Sequence, residues 1–241
     1  MTDKITKRFF KFFREELDLV DKIEGHQYKI HKKILYVSMI DTIAGLIYPT
    51  RGNRDRFVQT LIKFASWDEA EYVSIPHLVR TLQLNPDPEY NQLRKYVFNE
   101  FRNWKQGSLV PIDTDVPANK VGTHWPKGKQ LNEAVNDVML ESLRHAHLLY
   151  KYRNALVHSF RPLGSDFEMP EDENPYYMAI TTIGSKSDDN DIYWDLIYPE
   201  VFFKKLVNNI FDNAEIHILN NKINPAEILK VGRYWLPSLN N

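Results

Sequence analysis

The sequence predicts a mainly α-helical fold in one domain spanning residues 1–241, with a small antiparallel β-hairpin near residues 176–197. Three observations predict it. Through the first two-thirds, apolar residues recur at three- and four-residue steps with charged residues between them. Near the C-terminal third, two β-branched and aromatic runs flank a Gly/Ser/Asp/Asn connection. No internal repeat and no linker rich in Gly/Ser or Pro divides the chain.

The elements follow in order. Ile5, Phe9, Phe12, Phe13, Leu17 and Val20 place a helix over 3–24, with Gly25 as its stop. A second helix runs from Tyr28 to Tyr48, before Pro49. From Ile34 onward it is apolar on nearly every side, as central buried helices are. Residues 53–66 read as a third helix. Ser74 and Pro76 fit the cap and first turn of a fourth, ending near Leu84. A fifth covers about 88–106. Residues 107–130 hold three Gly and three Pro, and form either an ordered excursion near a site or a loose loop. A long helix is expected over 131–160, ended by a solvated acidic stretch at 164–175. The hairpin runs are 176–183 and 191–197. A helix returns at 199–220, and Pro225 opens a short last one.

Composition narrows the function classes. Hydrophobic residues make up 43% of 241, enough for a sizeable core. The formal net charge of −1 gives no global attraction to nucleic acid, so any such contact needs a local patch. There is no cysteine, hence no disulfide and no thiolate metal site. The first twenty residues are charged throughout, and no run approaches the roughly 20 apolar residues of a membrane span. A soluble cytoplasmic protein is expected.

One position breaks the pattern. On a wheel of about 100° per residue, the apolar residues of 131–160 fall within one half, and Arg153 lies near its middle. Beside that face runs a polar stripe of Arg144, His147, Lys151, Asn154 and His158. An unpaired buried guanidinium costs several kcal/mol. It therefore either joins a structural ion pair or snorkels to the edge, or it lines a cleft where an anion binds. A nearby histidine can move a proton at neutral pH.

The segment "RNALVH" resembles the R-N-x-x-x-H motif of HEPN domains (higher eukaryotes and prokaryotes nucleotide-binding), with Arg153, Asn154 and His158 in its places. The similarity covers roughly residues 28–160 and implies a HEPN-like helical bundle. Where many members have a tyrosine two residues after the histidine, this chain has Phe160. The resemblance implies a metal-independent endoribonuclease without cofactor, a toxin or defence effector, acting as a homodimer with a composite site and with an antitoxin or regulatory protein as a further partner. It makes His158 the general base or acid, Arg153 the group that stabilises phosphate charge, and Asn154 the residue that orients His158 or holds a phosphate oxygen. RNA would be cleaved by 2′-hydroxyl attack, leaving a 2′,3′-cyclic phosphate. Lys151, His147 and Arg144 are expected beside the substrate. The alternative is a non-catalytic HEPN-like module that binds a nucleotide or a protein partner.

Arg153 and His158 are five apart, about 140° around an ideal helix. One chain's pair does not converge on one phosphate, which points to a dimer independently. Asp41, the only charge between Lys33 and Tyr48, is the expected partner of Arg153. Arg54 or Arg56 is its local alternative across the turn at Pro49. No metal is expected: His145 and His147 lie about 200° apart on a helix. His26 and His31 read as surface residues, and Trp125 and Trp194 as structural aromatics. Arg51, Arg54 and Arg56 read as a solvated helix start.

Overall fold

The computed structural model describes residues 2–105, 107–165, 167–168, 172–181 and 192–229. The chain is mainly helical with small antiparallel sheets. The chain groups into two compact units: residues 1–67 with 203–241, and residues 68–202.

The first unit holds α1 (Thr2–Asp21), α2 (Lys29–Ile47), α3 (Asn53–Phe64), most of α8 (Glu200–Asn220) and α9 (Pro225–Ile228). As its sequence foretold, α2 is central: Val37, Ile40, Ile43, Ala44 and Leu46 are fully buried. Side chains on α8 satisfy the end of α3. Asn213 Nδ2 donates to the Phe64 carbonyl at 2.9 Å, and Asn209 Nδ2 to the Ala65 carbonyl at 2.8 Å. These are carbonyls that a helix end cannot pair internally. Arg14 of α1 donates to Asp212 and Glu215 at 2.8 Å each. Lys33 is fully buried, its ammonium 5.8 Å from the Phe203 ring centroid.

The second unit holds α4 (Ile75–Gln83), α5 (Asn91–Phe101), α6 (Ala118–Thr123) and α7 (His145–Ser159). It also holds β1 (Tyr72–Val73), β2 (Leu109–Pro111), β3 (Val116–Pro117), β4 (Tyr176–Thr181) and β5 (Ile192–Ile197). β4 and β5 pair antiparallel from Tyr176↔Ile197 to Thr181↔Ile192, which is the expected hairpin. β2 adds a third strand to β4, and β3 pairs with β1. The 107–130 segment is therefore an ordered excursion. The core of this unit gathers Ile75, Leu78 and Leu82 of α4, Leu93 and Val97 of α5, and Val121, Trp125 and Leu143. Trp125 is structural: its Nε1–H donates to the Gln130 carbonyl at 3.1 Å.

Three expectations need correction. The helix over 131–160 exists only as α7. Asn136 and Asp137 take φ of 49° and 59°, and Val135 and Val138 bond each other at 2.9 and 3.0 Å across them. This is a tight turn with two left-handed central residues, a conformation that Asn and Asp tolerate. It breaks the helical run, so Leu131, Val135, Val138, Met139 and Leu143 do not share a face with Arg153. The helix over 88–106 begins as a 3₁₀ turn (Pro88–Tyr90) and is α only over α5. The acidic stretch is not wholly solvated. Glu168 is buried and accepts the Glu200 N–H at 2.9 Å, capping α8. Asp166 and residues 169–171, and the hairpin connection over 182–191, lie outside the described residues.

Candidate functional site

α7 starts where the chain from the 3₁₀ turn Leu140–Leu143 pairs with β1: Val73 bridges Arg144, and the Ser74 N–H bonds the Leu143 carbonyl at 3.0 Å. Arg144 is the extended residue that precedes α7. The helix ends at Phe160, a non-glycine residue in the left-handed region at φ 51°, with Arg161 N–H reaching back to the Ala155 carbonyl at 3.5 Å.

The motif residues occupy the last two turns. Arg153 and Asn154 are half-buried and His158 is exposed. Arg153 Nη1 donates to Asn154 Oδ1 at 2.9 Å, and its guanidinium carbon lies 5.9 Å from the Tyr150 ring centroid. Val157 and Phe160 beside His158 are 39% and 57% exposed.

The expected polar stripe separates. Arg144 Nη1 pairs with Glu71 at 3.2 Å. His147 is buried, with Nε2 3.1 Å from Glu141. Lys151 is exposed and lines a cleft of about 250 Å³ together with His77 and Trp194. Asp41 belongs to the first unit and Arg153 to the second. Within its own unit Asp41 is half-buried and lines an open cleft of about 400 Å³ that Arg56, its local alternative partner, also lines.

A second constellation in residues 68–202 has no counterpart in the sequence reading. Asp115, buried after the 3₁₀ turn Ile112–Thr114, accepts three hydrogen bonds. They come from the Ile75 N–H at 2.8 Å, His145 Nε2 at 2.8 Å and Tyr177 Oη at 2.6 Å. Tyr177 Oη also lies 2.7 Å from Ser74 Oγ, which lies 2.7 Å from His77 Nδ1. The phenol has one hydrogen and two partners, so it donates to the carboxylate and accepts from Ser74. Ser74 then has no hydrogen left for His77. The line closes only as His77 Nδ1–H to Ser74, Ser74 to Tyr177, and Tyr177 to Asp115. This assigns His77 the Nδ1–H tautomer and leaves its Nε2 as a lone-pair acceptor.

Burial, then the charges of Lys151 and His145, lower the His77 pKa to about 4 against the opposing pull of Asp115. Burial and then Asp115 raise Tyr177 well above the ordinary phenol value. His77 is thus a neutral imidazole at physiological pH. An unfolded histidine titrates near 6.5, so between that pH and about 4 the unfolded chain holds the extra proton. Stability from this group is complete above pH 6.5 and falls as pH is lowered, by about 3 kcal/mol across the window. Urea unfolding at pH 7, 6, 5 and 4.5 should show a steeper loss in wild type than in His77→Gln. Parallel curves would overturn the assignment.

The one sequence signal for this network is the S-x-x-H spacing at the start of α4, which puts Ser74 and His77 one turn apart. Asp115, His145 and Tyr177 carry none. Among the described residues no helix is long and apolar enough to cross a membrane. Comparison of the chain with protein-family models, curated proteins and solved structures finds no match.

Proposed function

We propose that the protein is a metal-independent endoribonuclease of HEPN type that works as a homodimer with a composite site. The observation that carries this reading is the exposed His158 on the last turn of α7, next to Arg153 and Asn154 and flanked by exposed Val157 and Phe160. An apolar pair beside an exposed histidine suits burial against a second copy. The angular separation of Arg153 and His158 supports pairing the histidine of one subunit with the arginine of the other.

In this reaction His158 takes the 2′-hydroxyl proton. The 2′-oxygen bonds to phosphorus, the bond to the 5′-oxygen breaks, and the His158 imidazolium gives its proton to that leaving oxygen. Arg153 stabilises charge on the phosphate in the transition state. Lys151 is exposed on the same helix, on the side of His158.

The second reading is a module that binds a nucleotide or protein and does not cleave. The Arg153–Asn154 bond favours it, because it satisfies the motif internally without His158.

Incubation of mixed cellular RNA with the protein in strong chelator separates the readings. The ribonuclease leaves 2′,3′-cyclic phosphate ends in chelator, and mixing Arg153→Ala with His158→Ala subunits restores part of the activity. Activity that vanishes in chelator and returns with one metal overturns the mechanism. Intact RNA with the folded wild type supports the binding module.

A further inference from the structure

A cleft of about 450 Å³ in residues 68–202 runs along α4, where His77, Arg80 and Gln83 line it at three-residue steps. Phe101, Tyr193 and Trp194 supply an aromatic wall. The volume lies in the range of small-molecule sites.

The wall is built in advance. Trp194 packs edge-on against Trp104 at 5.2 Å and Phe101 at 6.2 Å, so its indole is held by two other rings. Tyr193 beside it keeps 47% of its surface exposed, which offers a ligand a second aromatic face. His77 is fixed through its Nδ1–H to Ser74, at the head of the line that runs through Tyr177 to Asp115. Its Nε2 is the acceptor left over, and among the described residues nothing bonds it. Arg80 is exposed and makes no ion pair among the described residues. With His77 neutral, Arg80 carries the one formal charge on this lining, since no Asp, Glu or Lys stands on it.

A fixed neutral acceptor, an aromatic wall and one guanidinium ask for a flat ring with a donor at one end and a single negative charge at the other. A carboxylate matches the planar fork of one arginine, whereas a phosphate dianion calls for a second cation. We infer that this cleft binds a small hydroxyaryl carboxylate, with the phenol O–H donating to His77 Nε2, the ring against Trp194 and Tyr193, and the carboxylate paired with Arg80. Residues three apart on a helix have Cβ atoms about 5–6 Å apart. The long Arg80 side chain widens that span to the length of one phenyl ring with a short arm. None of Arg153, Asn154 and His158 lines the cleft, so the site stands or falls independently of RNA cleavage.

The test is calorimetric titration and imidazole nitrogen NMR on the full chain at pH 7, with 3-(4-hydroxyphenyl)propionate as the probe. The acid should bind and shift the His77 Nε2 resonance. 3-Phenylpropionate, which lacks the hydroxyl, should bind about tenfold more weakly, the loss of one hydrogen bond, and leave Nε2 where it was. 4-Ethylphenol, which lacks the carboxylate, should also bind about tenfold more weakly. Arg80→Gln alters an exposed side chain and should weaken the acid about tenfold while leaving 4-ethylphenol unchanged, a difference that a merely structural residue would not produce. Tyr193→Ala should weaken both. The dipeptide acetyl-Gly-Tyr carries the same phenol and carboxylate: binding as tight as that of the free acid identifies a chain end as the source, and weaker binding identifies a free acid. No shift of His77 at millimolar acid, or equal affinity for 3-phenylpropionate, overturns the site. So does unchanged affinity for the acid in folded Arg80→Gln.

Discussion

His158→Ala is expected to lower RNA cleavage by about 10²–10⁴-fold, the usual contribution of a general acid or base. The same change should leave stability within about 0.5 kcal/mol of wild type, because the side chain is exposed. Loss of activity without loss of fold is what separates a proton-transfer group from a structural one. Arg153→Ala should reduce cleavage to a similar extent but also cost some stability. Its guanidinium is half-buried, bonded to Asn154 and stacked near Tyr150. Cleavage rate on a defined RNA, measured beside the unfolding midpoint of each variant, checks both. A folded His158→Ala protein with full activity ends the ribonuclease proposal.

The second large effect is on stability. Asp115→Asn should cost about 3–5 kcal/mol, the range for removing one member of a buried charged network. Asp115 is 3% exposed and accepts three donors at once. An amide nitrogen in place of one oxygen would present a donor to His145 and Tyr177 or to the Ile75 N–H, and leave them unsatisfied. Tyr177→Phe should cost less, about 1–3 kcal/mol, since the carboxylate keeps two partners. The two changes act on one line of hydrogen bonds, so the double variant should lose less than the sum. Denaturant unfolding of the three variants measures this. A loss below about 1 kcal/mol for Asp115→Asn would show that the network does not hold β1, β3 and β4 to the start of α7.

Local pattern alone determined much of this protein. Helical spacing placed α1, α2, α3, α4 and α8 within a few residues of their ends, because each is a contiguous amphipathic or apolar run with its own stop signal. Alternation of β-branched and aromatic residues placed β4 and β5. The motif at 153–158 was legible for the same reason: its spacing is a property of one helix. The stretch before it was misread because the apolar residues of 131–143 keep a three- and four-residue rhythm by chance of composition. The turn signal V-N-D-V at 135–138 outweighs that rhythm.

Only the tertiary structure decided the rest. β2 becomes a strand because β4, far along the chain, offers it an open edge, pairing Leu109 with Met178, Val110 with Tyr177 and Pro111 with Tyr176. The network around Asp115 joins residues 30, 62 and 103 apart in the chain. No local spacing encodes a hydrogen bond between side chains so far apart. Folding brings them together, and the exclusion of water makes each unsatisfied donor or acceptor there too costly to leave alone.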